Sequence, residues 1–168
     1  MLQLIVLIVF PALMVFAAFS DLFTMTISNR VSLALVLVFL PLGLAVGLSP
    51  AEIGLHMACG LGVLVLTFAM FAKGWIGGGD AKLAAATAVW MGWSHLCDYG
   101  TSSAIIGGAL TLAILLGRQL PLPGWSLGIG WLTHLHDRRT GIPYGIALAA
   151  GGLLIYPETM VWSALASS

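Results

Sequence analysis

Charge is what this 168-residue chain lacks: Asp, Glu, Lys and Arg make up 7% of it, against 60% hydrophobic residues. A soluble domain carries roughly a quarter charged residues, enough to wet its surface. So few charges exclude a water-facing surface over most of the chain and leave lipid as the solvent. Positive charge is not in excess either. Six basic residues meet six acidic ones, so nothing points to nucleic acid as a partner. Cysteine is scarce: Cys59 and Cys97 form no CxxC pair and no metal-ligand spacing, and read as small apolar core residues. Residues 1–19 contain no Lys or Arg, which removes the basic start of a secretory leader. Their apolar stretch also outruns a leader's core, so it reads as a retained first helix. Strict apolar/polar alternation is missing too. Stretches such as 31–40 and 61–70 are almost continuously apolar, which excludes a membrane β-barrel.

What is there is six apolar segments, at about 2–20, 31–49, 53–72, 81–97, 101–117 and 142–164. At about 20 residues per crossing they predict an all-α membrane protein, a polytopic bundle of about six transmembrane helices in one domain over 1–168. Pro11 and Pro41 fall inside the first two segments, which membrane helices tolerate when neighbours satisfy the freed carbonyls. Gly43 and Gly47 have the GxxxG spacing that lets helix backbones approach closely.

The basic residues are distributed unevenly. Arg30 lies in loop one, Lys73 and Lys82 in or beside loop three, and Arg118, Arg138 and Arg139 in loop five. Loops two and four have none. The positive-inside rule then puts loops one, three and five in the cytoplasm and both termini on the outer side. Loop five, about 118–141, contains Trp125 and Trp131, and its stretch 125–135 is expected to lie on or dip into the headgroup interface. His134-x-His136-Asp137 in the same loop matches no common zinc spacing and has no Cys or Glu nearby. It reads as solvated loop, and no metal site is expected.

Glu52, Asp98 and Glu158 fall on the outer side, and Asp137 sits within basic loop five. That leaves Asp21, directly after the first apolar segment, and Asp80, between Gly77-Gly78-Gly79 and the fourth. A carboxylate at a membrane border is costly unless it meets water or a partner. If the two meet, they cannot both ionise easily, and one acid beside one anion can activate water against a peptide carbonyl. Asp80 can equally be the N-cap of the fourth helix, and Asp21 a border anion. Position alone leaves both readings standing. A phosphate-binding loop is not supported, because no Gly-Lys-Ser/Thr follows the glycines.

These segments resemble the type IV prepilin peptidases, the GxGD aspartyl proteases of bacterial membranes. Gly77-Gly78-Gly79-Asp80-Ala81-Lys82-Leu83 is similar to that family's Gly-x-Gly-Asp-x-Lys-Leu segment. Asp21 followed by Ile27-Ser28-Asn29 resembles its first motif, an Asp with Ile-Pro-Asn several residues later; Ser28 stands in place of the proline. Ile142-Pro143-Tyr144-Gly145 resembles its last-helix segment. The resemblance implies Asp21 and Asp80 as the catalytic pair, and Gly77 and Gly79 as the motif glycines. It implies Lys82, Asn29, Pro143 and Tyr144 as substrate-binding or motif support, and no cofactor. The substrate it implies is a prepilin precursor, cut at its basic leader on the cytoplasmic side of its hydrophobic helix. The setting it implies is a bacterial inner membrane, with other pilus-assembly proteins as further candidate partners. The N-terminal insert with paired CxxC motifs of bifunctional relatives has no counterpart, so N-methyltransferase activity is not expected. The short form resembles the peptidases of Flp-type or tight-adherence pili.

Two other classes stay open. One is a small transporter or channel using Asp21 and Asp80 as ion-pathway carboxylates. The other is a non-catalytic scaffold of a pilus or secretion system. No convincing repeat relates the two halves, as transporters often show.

Overall fold

A computed structural model describes residues 2–126 and 128–166. Helix α1 (Leu2–Thr24) is followed by α2 (Asn29–Ala45), α3 (Pro50–Ala72) and α4 (Gly78–Gly117). A 3-10 turn (Gly124–Ser126) and a short α5 (Gly130–His136) lead to α6 (Gly145–Ile155), a second 3-10 turn (Tyr156–Glu158) and α7 (Met160–Ala166). No strand occurs among the described residues. Short polar signals start the early helices. Ser28 caps α2, its Oγ accepting the Arg30 amide at 3.3 Å. The serine that departs from the resembled motif therefore satisfies one of the amides a helix start leaves free. Helix α3 opens on a capping box: the Ser49 amide donates to Glu52 Oε2 at 2.7 Å and the Glu52 amide to Ser49 Oγ at 3.2 Å.

Among the described residues, three helices are long and apolar enough to cross a membrane, over Leu7–Thr24, Pro50–Ala72 and Gly78–Gly117; Asn29–Ala45 and Gly145–Glu158 are shorter apolar helices. Large side chains such as Leu33, Leu61, Phe68, Ile105 and Leu116 are each more than half exposed, as lipid-facing residues are. The buried set is aromatic at its centre. Phe10 packs against Tyr156 at 4.4 Å and Trp90 at 4.9 Å between ring centroids, and Trp90 meets Phe39 edge-on at 5.5 Å. The Trp90 indole N–H donates to the Leu35 carbonyl at 3.0 Å, so its one polar group is satisfied inside the bundle.

At 40 residues, a straight α4 would be about 60 Å long, twice the roughly 30 Å hydrocarbon core. It is not straight. Gly92 has φ 64° and ψ −177°, outside the helical region. The packing against α6 reveals the resulting path of the chain. A side chain on Gly151 would strike Ser103, and one on the adjacent Gly152 would come within 3.1 Å of Thr87. Thr87 and Ser103 would be about 24 Å apart along a straight helix, yet both touch neighbouring residues of α6. Asp80 and Ala84 likewise share one cavity with Tyr99 and Ser103. The chain therefore doubles back at Gly92, and the two halves of α4 are the fourth and fifth crossings.

The expected bundle of about six membrane helices holds, with two boundaries corrected. The fourth and fifth segments, expected at 81–97 and 101–117, are not separated by a loop at Asp98. Residues 98–100 are helical, and the reversal occurs at Gly92. The sixth, expected over 142–164, begins at Gly145 and breaks at the Tyr156–Glu158 turn, where Pro157 offers no amide to continue the helix. In loop five, Trp131 of α5 packs edge-on against Phe23 at 5.7 Å; Leu127 and the Trp125 side chain, which belong to the expected interfacial stretch, lie outside the described residues. Cys59 is buried, Cys97 exposed, and both are free.

Candidate active site

Asp21 sits one turn before the end of α1, 5% exposed. Its Oδ2 accepts the Gly145 amide at 2.7 Å, tying α1 to the start of α6. That amide is one of those a helix N-terminus leaves without an intrahelical partner. Asp80 lies in the first turn of α4, directly after the glycine run. Its Oδ1 is buried and has no hydrogen-bond partner. Such an atom is rare in folded proteins and calls for a water or a ligand.

The two aspartates line one cleft, from opposite elements. A wide arm of about 860 Å³ runs from Asp21 and Asp80 past Ile76 and Tyr144 to Arg118, Thr140 and Gly141. A narrow arm of about 340 Å³ runs from the same pair past Ile27 and the three glycines to Asn29 and Lys82. Behind Asp80 a third, apolar space of about 350 Å³ reaches into the bundle between Leu66, Met70, Leu96 and Leu148. The segments between α1 and α2, between α3 and α4, and between α5 and α6 all contribute to the wide arm. Loops one, three and five thus gather at one end of the bundle, where the aspartates are.

The structure brings most of the sequence-derived set to this cleft. Gly77, Gly79, Asn29 and Lys82 line the narrow arm and Tyr144 the wide one. Pro143 is buried beside Tyr144, outside the cleft lining. Tyr144 is seated by Gly107, where any side chain would strike its ring. Lys82 donates to Asn29 Oδ1 at 2.8 Å, and both are exposed. It joins the first turns of α4 and α2 at the rim. Among the described residues the one contact of a basic with an acidic side chain at salt-bridge distance is His95–Asp98, at 3.9 Å, so Lys82 is not paired with Asp80. His134, His136 and Asp137 do not face the cleft. His134 and Asp137 knit loop five, their carbonyls accepting the Thr140 hydroxyl and the Asp137 carboxylate the Arg139 amide.

Sequence reasoning missed three residues. Gly145 was only one position of the last-helix motif, yet its amide holds Asp21. Arg118 counted only as a topological charge, yet it is 9% exposed and lines the wide arm. Tyr99, expected in a loop, is 3% exposed and lines the apolar space behind Asp80. An aromatic hydroxyl between two long apolar stretches is the one signal that pointed inward.

Two carboxylates facing one open cleft, one of them oriented by a backbone amide, can share a proton and activate water. A comparison with curated proteins and with solved structures gives no match. The family model described as the type IV leader peptidase family matches residues 8–117, a stretch that contains both aspartates, the glycine run and five of the six crossings. The chain belongs to the type IV leader peptidase family.

Proposed function

We propose that this peptidase is of the aspartic type, with Asp21 and Asp80 as its catalytic pair. Its substrate is a type IV, Flp-like prepilin precursor, cut between its basic leader and its hydrophobic helix. The observation that carries the reading is the single cleft lined by both aspartates. The buried, unpartnered Asp80 Oδ1 supports it, because that atom lacks a hydrogen bond a bound water or peptide would supply.

The chemistry follows from the pair acting as a unit. The anionic carboxylate takes a proton from water as its oxygen bonds to the scissile carbonyl carbon. The protonated carboxyl hydrogen-bonds to the carbonyl oxygen, where negative charge develops. Collapse of the tetrahedral intermediate breaks the C–N bond, and a proton passes to the leaving amine. The two residues titrate together, so neither is permanently acid or base. Gly145 fixes Asp21 for both half-reactions. Tyr144 and the motif glycines shape the cleft, and Asn29 and Lys82 border it.

The cleft opens to the cytoplasm in this reading. Arg30, Lys73, Lys82, Arg118, Arg138 and Arg139 all belong to the three loops at that end or to the helix turns beside them, and such residues are retained on the cytoplasmic face. The test is coexpression with a short pilin precursor from the same genome, following leader removal by mass. Asp21→Asn and Asp80→Asn are run alongside at matched membrane levels. Loss of processing in both variants is the expected result. Processing at the unaltered rate in either one would remove that aspartate from the mechanism.

A further inference from the structure

Arg118 terminates α4 and is buried, yet none of its hydrogen-bond partners carries a charge. Its Nε donates to the Leu135 carbonyl at 2.9 Å. One terminal nitrogen donates to the Thr140 carbonyl and hydroxyl, both at 3.2 Å, and to the Gly141 carbonyl at 3.0 Å. Burying a guanidinium against neutral oxygens alone is expensive in stability. The same side chain lines the wide arm of the cleft, where the carboxylates are Asp21 and Asp80. If that pair holds one proton, the arm as a whole is close to neutral.

The segment that Arg118 grips leads directly to the catalytic pair. Gly141 is followed by Ile142, Pro143 and Tyr144, and then by Gly145, whose amide holds Asp21 Oδ2. Pro143 is buried and has its φ fixed by its ring, so little slack lies between the gripped carbonyls and that amide. Tyr144, wedged against Gly107, anchors the same stretch from the other side. We propose that Arg118 is a positioning residue for the peptidase reaction: by holding the 140–141 carbonyls it sets the Gly145 amide against Asp21. This rests on the assignment of Asp21 as catalytic. A guanidinium is needed because two of its nitrogens, held in one plane, reach three carbonyls on two segments, whereas an ammonium directs all three of its donors from one atom.

The experiment compares the unaltered chain with Arg118→Gln and Arg118→Lys in detergent or vesicles. It reads precursor cleavage at varied substrate and amide hydrogen exchange in the 137–146 stretch. Arg118→Gln is expected to lower kcat about tenfold or more while KM stays within about threefold, because the reacting groups shift and the substrate's remote contacts do not. Arg118→Lys is expected to recover part of that loss. Exchange should rise in 137–146 and stay unchanged in the first half of α4. Wild-type kcat in Arg118→Gln, or a loss confined to KM, would overturn the proposal. So would a rise in exchange spread equally over α1 and α4, which marks general destabilisation. A precursor left uncut by the unaltered chain would instead sink the functional reading, and the exchange comparison would still decide whether Arg118 sets the Gly145 segment.

Discussion

The Gly145 amide and Asp21 Oδ2 meet at 2.7 Å although 124 residues of chain separate them, and the approach leaves no room for a side chain on the glycine. A Cβ there would lie 2.6 Å from Ile27 Cδ1 and 2.8 Å from the same Asp21 oxygen. Both distances are below van der Waals contact, so the carboxylate or the helix start has to move. Gly145→Ala is therefore expected to lower leader cleavage about a hundredfold, the scale on which an ångström of misplacement acts. Thermal unfolding in detergent should fall much less. Cleavage at the unaltered rate would show that Asp21 works without this amide.

The three glycines before Asp80 are not equivalent. A Cβ on Gly77 would lie 2.8 Å from Asp80 Oδ2. On Gly79 it would face the Ile27 Cβ at 3.2 Å and its backbone nitrogen at 3.4 Å, both poorly able to yield. On Gly78 it would meet only the ring edge of Phe71, at 3.3 Å, on an exposed side chain that can swing aside. Substitution by Ala is expected to cost about tenfold or more in kcat at Gly77, less at Gly79, and under about twofold at Gly78. The order is the prediction. Steady-state cleavage by the three variants checks it, and Gly78→Ala as the worst of the set would refute the geometry.

The same contacts explain which features were legible in the sequence. Asp21 and Asp80 stood out because a carboxylate at a lipid border needs a reason to be there, and the glycine run flagged the second. That they share a cleft was not legible, since helix packing brings them together and no spacing records it. The reversal at Gly92 was hidden for a related reason. Trp90-Met91-Gly92-Trp93 contains no polar punctuation, and a lone glycine in an apolar run usually means close packing. Asp98, Tyr99 and Gly100 imitated a loop, but they extend a helix whose inward face presents Tyr99 and Ser103. Arg118 looked like one more inside-facing charge. Its grip on Thr140 and Gly141 depends on where loop five folds back, and charge counting is blind to that.

Gly92 also explains a buried histidine. Its φ of 64° lies in the left-handed region, and a Cβ there would come within 2.7 Å of the His56 ring. His56 stacks on Phe39 at 5.1 Å between centroids, with Nδ1 2.7 Å from the Val89 carbonyl. In an uninterrupted helix that carbonyl would take the amide of Trp93; at the break, His56 supplies the bond from α3. Gly92→Ala is expected to lower unfolding stability in detergent by about 2 kcal/mol or more, combining backbone strain with displacement of the ring. His56→Leu fills similar space but strands a buried carbonyl, at a cost of about 1–3 kcal/mol. His56→Asn places an amide donor near the Nδ1 position and should recover part of that loss. Thermal unfolding of the three variants decides the matter. If His56→Leu is as stable as His56→Asn, the histidine is there to fill space, and the broken helix end is satisfied some other way.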